Sequence, residues 1–180
     1  MTCIVAVKHE KKIYMGGDRC LSDYESSFYM PTTDPKIFKK DTMLIGYAGS
    51  VRMGKVLKYD FEPPRPDLRN LDRYMNIDFI NALRECLERN NLKFDTSTPE
   101  RNDYADLIVG IKGRIFIIED DWQATEHTYD YLSIGSGSPY ALGSLYSTEH
   151  LPPNERVEKA LEAADNFSTT VCQPFDYIVL

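Results

Sequence analysis

The sequence predicts an α+β fold made from antiparallel hairpins. Three observations carry this. Short runs of β-branched and apolar residues come in pairs joined by brief polar turns. Apolar residues at three- and four-residue steps mark helices between those runs. The order along the chain is strands, two helices, strands, two helices, strand. Two antiparallel sheets packed face to face, each covered by a helix pair, would bury all these faces in a four-layer αββα sandwich. The 180 residues are enough for a sizeable core and are read as one domain over 1–180.

Residues 2–8 (TCIVAVK) and 12–17 (KIYMGG) read as a hairpin of buried strands. With His9, Glu10 and Lys11 as the loop, Lys8 faces Lys12 and Thr2 falls opposite Asp18. Opposed residues share a face of the sheet. Residues 19–34 show no helical period and are expected to form a long hairpin or lid. Pro35 biases Asp34 to an extended conformation, and KIF begins a short strand. MLIGYA at 43–48 is another strand. A helix then fits 50–60, with Ser50 as N-cap and Met53, Val56, Leu57 and Phe61 as its apolar stripe.

The connector EPPRPD at 62–67 cannot be helical inside. Residues 71–90 give the clearest helix, with Met75, Phe79, Ala82, Leu83, Cys86 and Leu87 on one face. A polar loop is expected over 91–103. Strands return at 105–111 and 114–119, joined by a two-residue turn at Lys112-Gly113. A third strand is expected over 122–128, with Trp122 as packing. YLSI at 131–134 leads through a glycine turn to a helix opening at Pro139. The last helix spans 154–168 with Val157, Leu161, Ala164 and Phe167 inward. FDYIVL closes the chain as a strand.

Composition narrows the function classes. Hydrophobic residues at 42% and charged residues at 27% suit a soluble globular protein. A formal charge of −7 argues against a general nucleic-acid or anionic-membrane surface, which needs clustered Lys and Arg. No run reaches the ~18 apolar residues of a membrane span, and no secretory leader is read. A cytoplasmic protein is expected. Cys3, Cys20, Cys86 and Cys172 form no CxxC and are expected as reduced thiols. His9, His127 and His150 have no metal-ligand spacing, so no metal or other cofactor is expected.

The residue pattern with chemical content is at the start. Removal of Met1 would leave Thr2 with a hydroxyl and a free α-amine on one residue. Such an amine has a reference pKa of ~7.7–8.0 and can serve as a base near neutral pH. A hydroxyl nucleophile needs a base beside it. A retained Met1 would block the amine and leave Thr2 inert. Cys3 could act as a nucleophile only if Thr2 were trimmed as well.

Four motifs in order carry a family likeness: TCIVAVK behind Met1; GGD at 16–18; PKIF followed by LIGYAGS over 35–50; and IGSGSPYALGSLY at 134–146. Together they resemble the proteasome β-subunit family, and the HslV type in particular. The resemblance implies the N-terminal nucleophile (Ntn) hydrolase fold and a threonine peptidase. It implies Thr2 as nucleophile, Asp18 as partner of a catalytic lysine and Lys36 as that lysine, ahead of its neighbours Lys39 and Lys40. It further implies the Gly49 N–H as oxyanion donor, Ser136 as partner of the terminal amine, and Tyr47 as a wall of the primary side-chain pocket. Peptide or unfolded-protein substrates, a homo-oligomeric ring and an ATP-dependent unfoldase partner follow from the same likeness.

One departure is that FSTTVCQPFD stands where many members carry DxxSGG, a motif the HslV type also lacks. Ser168, Thr169 and Thr170 are the candidates to replace its polar support. Two other functions fit the sequence: a non-catalytic assembly subunit that keeps Met1, and an Ntn amidohydrolase of small molecules. GSGS as a phosphate cradle is disfavoured, because the lysine and spacing of a P-loop are missing.

Overall fold

The computed structural model describes residues 2–23, 28–92 and 105–180. Met1, residues 24–27 and most of the polar loop expected over 91–103 lie outside them. Four strands form one sheet in the order β10-β1-β2-β11: β1 (Ile4–His9), β2 (Lys12–Asp18), β10 (Tyr131–Ile134) and β11 (Phe175–Val179). Five form a second in the order β5-β6-β7-β8-β9: β5 (Ile37–Lys40), β6 (Met43–Gly49), β7 (Ala105–Ile111), β8 (Arg114–Ile118) and β9 (Ala124–Glu126). A separate ribbon pairs β3 (Cys20–Asp23) with β4 (Phe28–Pro31), the hairpin expected over 19–34. Every pairing is antiparallel.

The strands read as unbroken apolar runs because both faces of each sheet are covered. Along β1, Ile4 and Ala6 enter a core shared with Leu44, Ala48 and Ile108 of the other sheet. The alternating Cys3, Val5 and Val7 enter a different core with Val157 and Leu161. Along β6, Met43, Ile45 and Tyr47 meet Met53, Leu57 and Leu83, while Leu44 and Ala48 face the first sheet. Period-two alternation thus sorts apolar residues between two cores rather than between core and water. Three stacked cores make four layers, the αββα sandwich.

The helices close the outer faces. In α1 (Val51–Tyr59), the Ser50 side chain accepts from Met53 N at 3.1 Å and caps the first turn. Met53, Val56, Leu57 and Phe61 are buried as expected. The helix expected over 71–90 is interrupted: α2 (Leu71–Arg73) passes into a π-helical stretch, Tyr74–Phe79, before α3 (Ile80–Arg89). The wider turn brings Tyr74 inward beside Met75 and Phe79, and the Tyr74 hydroxyl donates to Pro64 O at 2.7 Å.

On the other face lie α4 (Ser138–Ser147) and α5 (Pro153–Phe167). Val157, Leu161 and Ala164 point inward, but Phe167 is 71% exposed. It sits at the last residue of α5 and rests on the Tyr140 ring, 5.9 Å between centroids, outside the core.

The first hairpin corrects one expectation. Lys8 pairs with Ile13 and His9 with Lys12, so the loop is the two residues Glu10 and Lys11. Both have positive φ, 48° and 70°, as a tight hairpin turn requires. Every pair shifts by one position. Ile4 pairs with Gly17, which sets Cys3 rather than Thr2 opposite Asp18.

Candidate active site

Thr2 stands two residues before the start of β1 and is buried. The turn after β10 holds its backbone. Gly137 N donates to Thr2 O at 3.1 Å, and Thr2 N donates to Ser136 Oγ at 3.2 Å. This turn needs glycine. Gly135 has φ +91°, and a Cβ there would collide with Thr2 O. The same Cβ would lie 3.1 Å from Ala48 Cβ, so the end of β6 borders the Thr2 backbone.

Asp18, at the end of β2, is fully buried. Its Oδ1 accepts from Cys3 N at 2.8 Å and its Oδ2 from Cys20 N at 2.8 Å. Lys36 Nζ reaches both oxygens, at 3.1 and 3.0 Å, and also donates to Cys20 O at 2.5 Å. Lys36 is only 5% exposed. A buried ion pair persists only where both ions are paired and hydrogen-bonded, and this one is. Burial pushes the Asp18 carboxyl up from its ordinary value, while the Lys36 ammonium and the Cys3 and Cys20 amides pull it back. Oδ1 is shared by Lys36 and the Cys3 amide, so the cation sits one residue from Thr2 along the chain. Lys39 is exposed, and Lys40 Nζ reaches Lys58 O at 3.5 Å instead.

Gly49 ends β6 opposite Ala105, exposed and with φ 128°. Tyr47, two residues earlier, is 4% exposed in the core beneath α1. Its ring lies so close over Gly54 that no side chain would fit there. Burial, with the Asp34 and Asp18 carboxylates, pushes its hydroxyl up to about 12.

Behind Ser136, Thr170 Oγ1 lies 2.7 Å from Ser136 Oγ and 2.8 Å from Ser168 Oγ. Two of the three candidates for the missing polar support therefore join the site, and Thr169 is exposed. The sequence reading missed the Cys3 amide and Gly135 as supports of the Thr2 backbone. The glycines of GSGS were a signal for the second. Nothing in the motif pointed to the first.

Two of the thiols nearby, Cys3 and Cys172, are shifted away from the thiolate form. Burial pushes Cys3 up to about 12. Burial and then the neighbouring Cys20 do the same for Cys172. A cleft of about 280 Å³ between α5 and the β2–β11 edge, lined by Tyr14, Val157, Glu158 and Tyr177, contains none of the site residues. Among the described residues no helix is long and apolar enough to cross a membrane.

No family model matches the chain. Its sequence is 28% identical over 169 residues to the ATP-dependent protease subunit HslV of Caldicellulosiruptor saccharolyticus, covering 91% of this chain and 89% of that one. Among solved structures it resembles Thiobacillus denitrificans BPH in complex with Epoxomicin, with TM-score 0.80, 20% identity and coverage of 99% and 98%. It also resembles eukaryotic HslV from Trypanosoma brucei, with TM-score 0.71, 20% identity and 99% of each chain covered. The αββα sandwich is that of the Ntn hydrolases. The likeness to HslV along nearly the whole sequence supports a place in the HslV-like proteasome β-subunit family.

Proposed function

We propose that this chain, with Met1 removed, is an N-terminal threonine peptidase. The observation that carries the reading is the convergence on Thr2: Ser136 at its nitrogen, the peptide nitrogen to Met1 that stands in for the freed α-amine, and the buried Lys36–Asp18 pair on the amide of the next residue. The likeness to a protease subunit supports the reaction class.

In this mechanism the Thr2 α-amine takes the Oγ proton, directly or through a water, as Oγ attacks the substrate carbonyl carbon. The Lys36 ammonium favours the neutral amine and offsets developing negative charge, and Asp18 holds that ammonium in place. The Gly49 N–H donates to the oxyanion. One such donor is worth about 2.7–4 kcal/mol. The C–N bond then breaks, and the α-ammonium gives its proton to the leaving amine. An ester on Thr2 remains. Water, deprotonated by the α-amine, attacks it; the ester C–O bond breaks and Oγ regains a proton.

Tyr47 is assigned to the wall of the pocket for the substrate side chain before the cut. Copies of the chain assemble as a ring with the sites facing a chamber, in the cytoplasm. The HslV relative is named as an ATP-dependent protease subunit, so an ATP-driven unfoldase is the partner class to test.

The test is hydrolysis of unstructured peptides by protein beginning at Thr2. Activity lost in Thr2→Ala and in Lys36→Ala supports the reading. Full activity in Thr2→Ala overturns it. A size measurement on the active species separates a ring from an unassembled amidohydrolase.

A further inference from the structure

β11 is an edge of the first sheet, with β2 as its one neighbour among the described residues. Ile13 and Leu180 exchange both backbone hydrogen bonds, each at 3.0 Å. In an antiparallel ladder such pairs recur at every second residue. Ile178 and Asp176 therefore also bond to β2, opposite Met15 and Gly17. The N–H and C=O groups of Phe175, Tyr177 and Val179 point out of the sheet edge, and among the described residues nothing takes them. Edge strands are usually blunted by lysine, proline or a bulge. This one, FDYIV, has neither residue and keeps a regular register, and its one charge, Asp176, is held by Arg19.

Beside that edge lies the cleft of about 280 Å³. Tyr177 and Val179 share a face of the strand, line the cleft and are 49% and 53% exposed. Gly16 lets α5 settle close on this face, because a Cβ there would lie 2.5 Å from Val157 Cγ1 and 2.9 Å from Leu161 Cδ1. The helix adds Asn154, Val157 and Glu158 to the lining. Glu162 lies one turn further along the same helix face. Burial, then the carboxylates of Glu158 and Glu162, push the Tyr177 hydroxyl up. An apolar trough thus has an open backbone edge on one side and two exposed carboxylates on the other.

We propose that this edge and cleft bind an extended segment of another protein, added to β11 as a fifth strand, with a large apolar residue and a lysine or arginine at alternate positions. The backbone of the segment pairs with the outward groups of Phe175, Tyr177 and Val179. Its side chains opposite Tyr177 and Val179 fall on the α5 face. There the apolar one fills the cleft and the basic one meets Glu158 and Glu162. A second copy of this chain fits less well. Joining β11 to β11 would set the Glu158 and Glu162 carboxylates of both copies along one seam, and like charges across an interface cost affinity. The cleft contains none of the residues placed at Thr2, so binding there does not depend on the peptidase reading.

The probe is a heptapeptide with a fluorescent N-terminal cap and an amidated end, threonine at odd positions, and valine, leucine and lysine at the even ones. Its anisotropy is read against the purified full chain, with Thr2→Ala run beside it so that hydrolysis is not taken for lost binding. Saturable binding is expected. Glutamate in place of the peptide's lysine should weaken it about tenfold, since attraction becomes repulsion. Methylation of all the peptide's backbone amides, which blocks strand pairing, should abolish it. Val179→Pro removes an outward N–H that the ladder does not use, so the fold is kept while binding falls about tenfold. Glu158→Lys should cost about fivefold. Absence of saturable binding overturns the proposal, as does equal binding of the glutamate or methylated peptide, or binding unchanged by Val179→Pro or by Glu158→Lys. Dissociation of an assembled native protein by Val179→Pro also overturns it, because a second copy would then occupy the edge. Should Val179→Pro fail to fold, Glu158→Lys and the methylated peptide carry the test: weakened binding in both supports the proposal, and unchanged binding in either overturns it.

Discussion

Cys3, directly before β1, and Asp18, at the end of β2, exchange hydrogen bonds: Asp18 Oδ1 accepts from Cys3 N at 2.8 Å while holding Lys36 Nζ at 3.1 Å, and Asp18 N donates to Cys3 O at 3.3 Å. One buried carboxylate thus fixes both the lysine and the backbone directly after Thr2.

Asp18→Asn keeps the shape but strips the Lys36 ammonium of its carboxylate in a dry site. Breaking a buried pair in this way costs about 3–5 kcal/mol. For a chain of this size that is a fall in Tm of about 10 °C. Thermal unfolding checks it; an unchanged Tm would show that the pair contributes nothing.

Lys36 and Lys39 are separable. Lys36→Met is expected to lower kcat by at least about a hundredfold, because the charge that offsets the oxyanion is gone. Lys39→Ala, at an exposed position, should leave it unchanged. Peptide turnover per mole of folded protein decides between them.

Gly135→Ala places a methyl group against the Thr2 carbonyl at a φ of +91°. The backbone strain alone is worth about 1–3 kcal/mol, and relief must come by moving Thr2 or the GSGS turn. Both stability and turnover should fall. The same substitution at Gly143, which has nothing within 4 Å, should leave both intact.

Cys3 is pushed up to about 12, chiefly by burial, so it stays a thiol through pH 9 in the folded protein. Its reactive thiolate fraction therefore rises only above that range, whereas an unfolded chain ionises near the ordinary ~8.5. Iodoacetamide at pH 8 should leave Cys3 unmodified in native protein and modify it fully in guanidinium. Mass mapping reads the difference.

Much of this was legible in the chain, and the gaps have physical reasons. Lys112-Gly113 announced its turn because glycine accepts positive φ, here 74°. Glu10 and Lys11 adopt the same conformation without a glycine or asparagine to signal it. Counting therefore placed His9 in the loop and set Thr2, not Cys3, against Asp18. The stripe through Phe79, Leu83 and Leu87 revealed a helix, but the π turn at Tyr74–Phe79 widens the period and does not show in a 3.6-residue pattern. Lys36 could be preferred over its neighbours by its place at the head of a strand, yet its ion pair is a tertiary fact. Thr170 meets Ser136 across 34 positions, a contact no local pattern encodes.

The most direct test of the central proposal is the intact mass of the purified protein before and after an electrophile that bonds both hydroxyl and amine of a terminal threonine. The expected result is a chain lacking Met1 that gains one adduct, lost in Thr2→Ala. Met1 retained throughout the assembled protein, or an adduct that persists in Thr2→Ala, would contradict it.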